Sequence, residues 1–238
     1  MTESSNDQLN IRREFQEIAY MIVHHLKEPA RTIRTGAELL LEHKQTLNHD
    51  TEGEAPSLEA CADRILHGAR RLDDIAASIA QYADDLANED EPMEPTDTGA
   101  LLRSVRQKLQ PLIEKTGAGV TNGAMPKLRC QPARVSRLLE HLVRNAILYH
   151  REQTPAVHVS AEERSENWLF SVRDNGTGID ASELTRIFDP FRRLSSKGYK
   201  GLGMGLATSK RIVADHGGRI WAESKVGVGS IIFFTLSK

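Results

Sequence analysis

Two glycine-containing stretches decide the fold of the second part of this chain: Asp174-Asn175-Gly176-Thr177-Gly178 and, further along, Gly201-Leu202-Gly203-Met204-Gly205-Leu206. Neither stretch is specific alone, because glycine turns and alternating glycines are common. A third segment, Arg144-Asn145-Ala146-Ile147, lies upstream within an amphipathic helix pattern. The order of the three segments indicates a nucleotide site.

The surroundings of the glycines exclude two commoner nucleotide-binding motifs. A dinucleotide-binding motif needs a strand directly before its glycines, whereas Gly201 follows the polar loop 195–200. A P-loop ends in Gly-Lys-Ser/Thr, whereas Gly205 is followed by Leu206-Ala207. The glycines of this chain therefore belong to another type of site.

Length, charge and cysteine content set broad limits. The 238 residues allow one or two domains, and the formal net charge of -2 argues against a nucleic-acid-binding surface. Cys61 and Cys130 are too few for a disulfide framework, so we expect buried, inert thiols. No apolar stretch approaches the ~20 residues needed to span a bilayer, and the first residues are polar. We therefore expect a cytoplasmic chain, or a soluble piece of a longer protein, without membrane insertion.

Helical periodicity dominates the first part of the chain. Over 11–43, apolar residues recur in alternating steps of three and four, which predicts a narrow packing seam. The polar stretch 46–56 interrupts this pattern, and a second one covers 58–86. We predict an antiparallel helical hairpin that completes a four-helix bundle with a second copy of the chain. Residues 88–95 have the composition of an acidic, proline-marked linker, so the predicted domains are 1–91 and 92–238.

Helices and strands alternate in the second part. Helical periodicity covers 101–115, 134–149 and 203–216, and β-type patterns cover 157–160, 168–173, 219–223 and 230–236. The pattern predicts an α/β domain whose helices lie on one side of a sheet, with Asp174 directly after a strand.

These segments resemble, in order, the boxes of the ATP-binding domain of sensor histidine kinases. Asn145-Ala146 is similar to the N box, 174–178 to the first glycine box, Phe188-Asp189-Pro190-Phe191 to the F box and 201–206 to the second glycine box. The stretch 23–29, Val-His-His-Leu-Lys-Glu-Pro, resembles the phosphoacceptor stretch of phytochrome-type kinases. The resemblance covers nearly the whole chain. It implies a hairpin dimerisation and phosphoacceptor domain, followed by an α/β sandwich of the gyrase, chaperone and histidine-kinase type.

The residue types suit the ATP and Mg²⁺ that the resemblance implies. The carboxylate of Asp174 can accept from an exocyclic amine, and Asn145 offers an oxygen suited to Mg²⁺. Arg193 belongs to a basic loop that suits a lid over a triphosphate. Five glycines complete the expected binding set. Two allow a close turn with positive φ, and three expose backbone N–H groups to phosphate at a helix start: Gly176, Gly178, Gly201, Gly203 and Gly205.

His24 is the expected phosphoacceptor. It lies two residues from both Ile22 and Leu26, so about 200° of helical rotation places it on the exposed side of the seam. Many members of the family carry an acid directly after this histidine, where the present chain has His25. Glu28, one turn on, is our first hypothesis for the group that orients His24 and takes its proton, and His25 is the alternative base.

The chain departs from the family pattern at three further places, and His25, His141 and Leu148 favour a second interpretation. His141 replaces an amide, Leu148 replaces a lysine, and Cys130-Gln131 stands where Gly-Asp is usual, a site we interpret as structural. The resemblance implies an ATP-dependent protein-histidine kinase that autophosphorylates His24 and phosphorylates a response-regulator receiver domain. The alternative is a non-catalytic pseudokinase or phosphorelay docking dimer that retains the fold.

Overall fold

The computed structural model describes residues 22–23, 26–42, 57–87, 92–192 and 203–238. These residues form two compact units, which divide between Gln81 and Tyr82. None of the helices in these ranges is long and apolar enough to cross a membrane. The domain boundary predicted at residue 91 stays a prediction.

The first unit is the predicted antiparallel helical hairpin. Helix α1 covers 26–42 in the described ranges, and helix α2 is Leu58–Ala87, capped by the Ser57 hydroxyl, which accepts from Ala60 N. The helices approach closely at two glycines. A Cβ on Gly36 would lie 2.9 Å from Ile65 Cγ1, and one on Gly68 would lie 2.6 Å from Ile33 Cγ1. The pairs run in opposite order along the two helices, since Ile33 meets Gly68 and Gly36 meets Ile65, so the helices are antiparallel.

The second unit contains a mixed five-stranded sheet in the order β2-β4-β5-β7-β6. Its strands are β2 (Gly119–Asn122), β4 (Ala156–Glu163), β5 (Asn167–Asp174), β6 (Ile220–Lys225) and β7 (Gly229–Ser237). Strand β2 pairs with β4 in parallel, and the other neighbours are antiparallel. Strand β1 (Glu94–Asp97) pairs with β3 (Lys127–Cys130) in a separate two-stranded ribbon. Asp174 is thus the last residue of a central strand.

Helices cover one face of this sheet. They are α3 (Thr98–Lys108), α4 (Gln110–Thr116), α5 (Pro132–Leu148) and α6 (Gly205–Asp215). Along β5, Phe170 and Val172 are buried in the helix-covered core, whereas Arg173 is exposed. Phe170 stacks on Phe234 of β7 with ring centroids 4.8 Å apart. The one-sided layering predicted from the sequence is confirmed.

Three sequence-based boundaries were wrong or incomplete. Residues Glu94 and Pro95, assigned to the linker, belong to β1, where an edge position tolerates proline. The helix predicted over 101–115 is two helices, because α3 ends at Lys108 and α4 begins at Gln110, with Pro111 in its first turn. Strands β1, β2 and β3 were missed, since four-residue strands carry too little alternation to be recognised.

A buried polar cluster joins α5 to α6. The Arg134 guanidinium donates to Gln131 Oε1 at 3.0 Å and forms an ion pair with Asp215 at the end of α6. His216 Nε2 accepts from Gln131 N at 3.1 Å, and its Nδ1 donates to Ile212 O at 2.7 Å. The imidazole is therefore neutral with its proton on Nδ1, and Gln131 has the structural role that the sequence indicated.

Candidate nucleotide-binding site

Asp174 is held by the backbone that surrounds it. Its Oδ1 accepts from Gly176 N at 2.8 Å and from Ser230 N at 3.1 Å. Burial raises the pKa of its carboxyl group, and the two backbone donors oppose that shift. Within the described residues, Oδ2 makes no hydrogen bond, so this atom remains available to a donor on a ligand.

The turn after Asp174 requires its glycines. A Cβ on Gly176 would overlap the Tyr149 carbonyl oxygen at the end of α5. Gly178 has a φ of +71°, and a Cβ there would overlap the Lys225 carbonyl oxygen. Thr177 N also donates to Tyr149 O at 2.9 Å. The turn is therefore packed backbone to backbone against α5 on one side and the β6–β7 hairpin on the other.

Asn145 lies on the last turn of α5, near the end that meets this glycine turn. Its carbonyl accepts from Tyr149 N at 3.0 Å, and its half-buried side chain makes no hydrogen bond within the described part of the chain. Leu148, where the resemblance implies a lysine, is the last residue of the helix. Helix α5 thus brings a polar amide, but no lysine, to this edge of the sheet.

The second glycine stretch leads into the N-terminal end of α6, which begins at Gly205 without a side-chain cap. Gly203 has a φ of +77°, and a Cβ there would lie 2.5 Å from the Arg192 carbonyl oxygen. Phe191, just before, is the one non-glycine residue of the described ranges with positive φ, at 60°. Residues 191–192 and 203 are therefore in backbone contact at the two ends of the segment that carries Arg193 and Gly201.

His141 packs directly against the start of α6. Its Cγ lies 3.5 Å from the position of a Cβ on Gly205. The residue as a whole is partly exposed, but Nδ1 of its ring is fully buried and has no hydrogen-bond partner in the described ranges. Burial lowers the pKa of His141 to about 4, so the imidazole is neutral at pH 7. The residue that replaces the family amide is therefore an uncharged group beside the glycine loop.

These features fit an adenine nucleotide. Asp174 presents a carboxylate whose second oxygen can accept from an exocyclic amine. The uncapped N-terminal end of α6 offers backbone donors and a favourable dipole to phosphate. The described residues hold no group of three or more histidine, cysteine or acidic side chains that could bind a metal. Mg²⁺ held by Asn145, phosphate oxygens and water fits such a site, since Mg²⁺ needs few protein ligands in phosphate complexes.

The structure brings most of the predicted binding residues to one edge of the α/β unit, by way of three elements. Asp174, Gly176 and Gly178 lie at the end of β5, Asn145 lies near the end of α5, and Gly203 and Gly205 lie at the start of α6. Arg193, Gly201, His24 and His25 lie outside the described residues.

Glu28, the remaining predicted residue, lies on α1 in the other unit. Its Oε2 accepts from Arg71 Nη2 of α2 at 2.9 Å. The sequence pattern did not reveal this pairing, because Arg71 is one of many charged residues on α2.

The sequence pattern also did not reveal the residues of β6 and β7 that support Asp174. Ser230 N donates to Asp174, and Ser224 Oγ lies 2.9 Å from Ser230 Oγ. Ser230 follows Gly229, and a Cβ added to Gly229 would overlap the Asp174 carbonyl oxygen. The Gly229-Ser230 pair at the start of the last predicted β-type segment was the available signal, and such a pair is too common to be informative alone.

Residues 130–238 match the family described as histidine kinase-, DNA gyrase B-, and HSP90-like ATPase. The described residues of that range lie within the α/β unit. The chain is also 31% identical over 238 residues to cyanobacterial phytochrome A of Nostoc sp., an alignment that covers 99% of this chain and 30% of that protein. The chain thus spans about 30% of the length of this relative. The resemblance to a sensor histidine kinase catalytic core is confirmed.

Solved structures confirm the fold. Histidine kinase ThkA in complex with response regulator protein TrrA matches with a TM-score of 0.67 at 20% identity, covering 100% of this chain and 67% of that one. Full-length ShkA in complex with AMPPNP matches with a TM-score of 0.60 at 22% identity, covering 93% of this chain and 45% of that one. The hairpin followed by an α/β sheet unit is therefore the arrangement found in these kinases.

Proposed function

We propose that this chain is the core of an ATP-dependent protein-histidine kinase that phosphorylates its own His24. The observation that carries the proposal is the carboxylate of Asp174, one oxygen of which is held by two backbone donors while the other is left for a ligand. Asp97 and Asp180 also accept two hydrogen bonds on one oxygen, but they cap helices, whereas Asp174 is half-buried at the end of a central strand beside the glycine turn. In the proposed complex, Asp174 accepts from the adenine amine and the start of α6 binds the phosphates.

Phosphoryl transfer to His24 forms one bond to the γ-phosphorus and breaks another. A ring nitrogen of the neutral imidazole forms a bond to the γ-phosphorus, and the bond from that phosphorus to the β,γ-bridging oxygen breaks, which releases ADP. The proton on the other ring nitrogen leaves to a base. Mg²⁺, when bound with the nucleotide, neutralises charge on the phosphates. The protein contributes mainly by binding and orienting the reactants.

Glu28 is our proposed orienting group for His24, four residues away on α1. Its Oε2 accepts from Arg71 Nη2 at 2.9 Å, and within the described residues its Oε1 makes no hydrogen bond and can accept from a second donor. His25 is the alternative base. Loss of autophosphorylation in His25→Ala, together with full activity in Glu28→Gln, would select His25.

We propose that the hairpin forms a homodimer. Apolar side chains remain exposed on it in a single chain, with Val23 at 51% and Leu66 at 50% exposed, together with Leu41 and Leu58. A four-helix bundle made with a second copy would cover such residues. Sedimentation of the chain at micromolar concentration, compared with a Leu66→Glu variant, tests this association.

Incubation with γ-labelled ATP and Mg²⁺ tests the kinase proposal. Wild type should acquire label that is acid-labile and base-stable, His24→Gln should acquire none, and His25→Gln should still be labelled. The labelled protein should then pass its label to an aspartate of a response-regulator receiver domain. Absence of label in wild type that binds ATP would refute the kinase proposal.

The second candidate is a pseudokinase or docking dimer, favoured by Leu148 at the end of α5 and by the uncharged His141 beside the glycine loop. Nucleotide binding measured with and without Mg²⁺ separates the two proposals. A kinase should bind ATP more tightly with Mg²⁺, whereas a pseudokinase in which Asn145 has no ligand role should show no dependence on the metal.

A further inference from the structure

Ser224, on strand β6, contacts the backbone of the nucleotide site at several points. Its Oγ accepts from Ile179 N at 2.8 Å and lies 2.9 Å from both the Gly229 carbonyl oxygen and Ser230 Oγ. The residue does not belong to any of the sequence motifs that mark the site. Its hydroxyl nevertheless joins the end of the glycine turn to the start of β7.

The chemistry of the neighbours determines which atom donates. The Gly229 carbonyl can only accept, and the Ile179 N–H can only donate. A hydroxyl has one proton and two lone pairs, so Ser224 donates to Gly229 and accepts from Ile179 and from the Ser230 hydroxyl. Every hydrogen-bonding position of the Ser224 hydroxyl is then occupied by the protein, and the group is not available as a direct ligand for a nucleotide.

The two segments joined by Ser224 are the ones that orient Asp174. Ser230 N is one of the two donors to Asp174 Oδ1, and the glycine turn before Ile179 supplies the other through Gly176 N. A further hydrogen bond between the turn and the hairpin runs from Gly227 N to Thr177 O at 2.8 Å. Ser224 thus contacts both segments that supply the donors, and it does not touch the carboxylate.

We propose that Ser224 is a positioning residue for adenine recognition, acting through the two backbone donors that orient the Asp174 carboxylate. This inference deepens the proposed function and rests on it. Replacement by alanine removes one hydrogen bond between the turn and the hairpin, from Ile179 N, and two within the hairpin, to Gly229 and Ser230. The carboxylate should then be held less firmly in one direction. Hydrogen bonds weaken steeply when they are misaligned, and the contact to the adenine amine should weaken accordingly.

The expected loss of affinity is confined to the recognition of the adenine ring. Ser224→Ala should bind ADP about 10-fold more weakly, which corresponds to about 1.4 kcal/mol. IDP carries an oxygen in place of the exocyclic amine and lacks the hydrogen bond from that amine to Asp174, so its affinity should change little. The ratio of the dissociation constants of IDP and ADP should therefore fall about 10-fold in this variant.

Calorimetric titration of the full chain with ADP and with IDP, both with Mg²⁺, tests the proposal. Ser224→Thr keeps the hydroxyl and should restore the wild-type ratio. Ser160→Ala is the matched control, because it removes a partner of another serine pair of the same sheet, Ser160 and Ser171, whose hydroxyls are 2.8 Å apart. If Ser224→Ala does not fold, Ser224→Cys, with its weakly hydrogen-bonding thiol, makes the same comparison.

The outcomes separate this inference from the proposed function. An unchanged ratio in Ser224→Ala, or an equal loss of ADP and IDP affinity, would overturn the positioning role while leaving ATP binding by the wild type intact. Failure of the wild type to bind ADP at all would overturn the proposed function and the inference together. A ratio that falls in Ser224→Ala, returns in Ser224→Thr and does not change in Ser160→Ala would establish the inference.

Discussion

The buried imidazole of His141 should make the α/β unit sensitive to mild acid. Burial lowers its pKa to about 4 in the folded protein, whereas an unfolded chain has a histidine pKa near 6.5. Below pH 6.5 the unfolded state therefore binds more protons than the folded state. The contribution of the neutral ring to the unfolding free energy is complete above pH 6.5. It decreases as the pH falls from 6.5 and is lost once the pH has fallen through 4.

The magnitude follows from the two pKa values. Between pH 7.5 and pH 5, the difference in proton binding at His141 costs about 2 kcal/mol of unfolding free energy, and the loss approaches about 3 kcal/mol at pH 4 and below. One such site is a substantial fraction of the 5–15 kcal/mol that is typical of a folded domain.

Urea unfolding at pH 7.5 and pH 5 provides the measurement. The two tryptophans of the chain, Trp168 and Trp221, lie in β5 and β6, so their fluorescence reports on the α/β unit. His141→Asn removes the titrating group and should lose about 2 kcal/mol less than wild type between the two pH values. His158→Asn, at an exposed strand position, controls for the loss of an imidazole. If the unfolding free energies of wild type and His141→Asn depend equally on pH, His141 is not the source of the acid sensitivity.

Three more substitutions, and a control for the second of them, have definite expected outcomes. Asp174→Asn replaces a carboxylate, which only accepts hydrogen bonds, with an amide, which both donates and accepts. It should weaken ATP binding about 100-fold, equivalent to roughly 3 kcal/mol, as measured by calorimetry. Gly178→Ala should destabilise the α/β unit by about 2 kcal/mol or more in urea, because its φ of +71° and a neighbouring carbonyl exclude a Cβ. Gly119→Ala, with nothing within 4 Å of its Cβ position, should be close to neutral in the same assay. Asp215→Asn leaves the buried Arg134 guanidinium without its ion pair and should lower the unfolding free energy by about 3 kcal/mol, whereas a loss below about 0.5 kcal/mol would contradict that account.

The order of elements in the α/β unit was readable from sequence because its signals are local. The periodicity over 134–149 and the alternation over 168–173 reflect one buried face on each element, and the structure confirms both as α5 and β5. Gly178 was identifiable for the same reason, since a positive φ is a property of one residue and its turn. The hairpin partners were also expected, from seams on two helices joined by a polar stretch.

The sequence by itself determined the kinds of residue that form the site: a carboxylate after a strand, an amide on a helix and glycines before a second helix. Only the tertiary structure decided how these residues are supported. The Ser224 hydroxyl, the Ser230 donor to Asp174 and the buried Nδ1 of His141 depend on contacts between segments far apart in the chain. The physical reason is that periodicity and turn chemistry act within a few residues, whereas desolvation and hydrogen-bond geometry depend on which distant atoms the completed fold brings together.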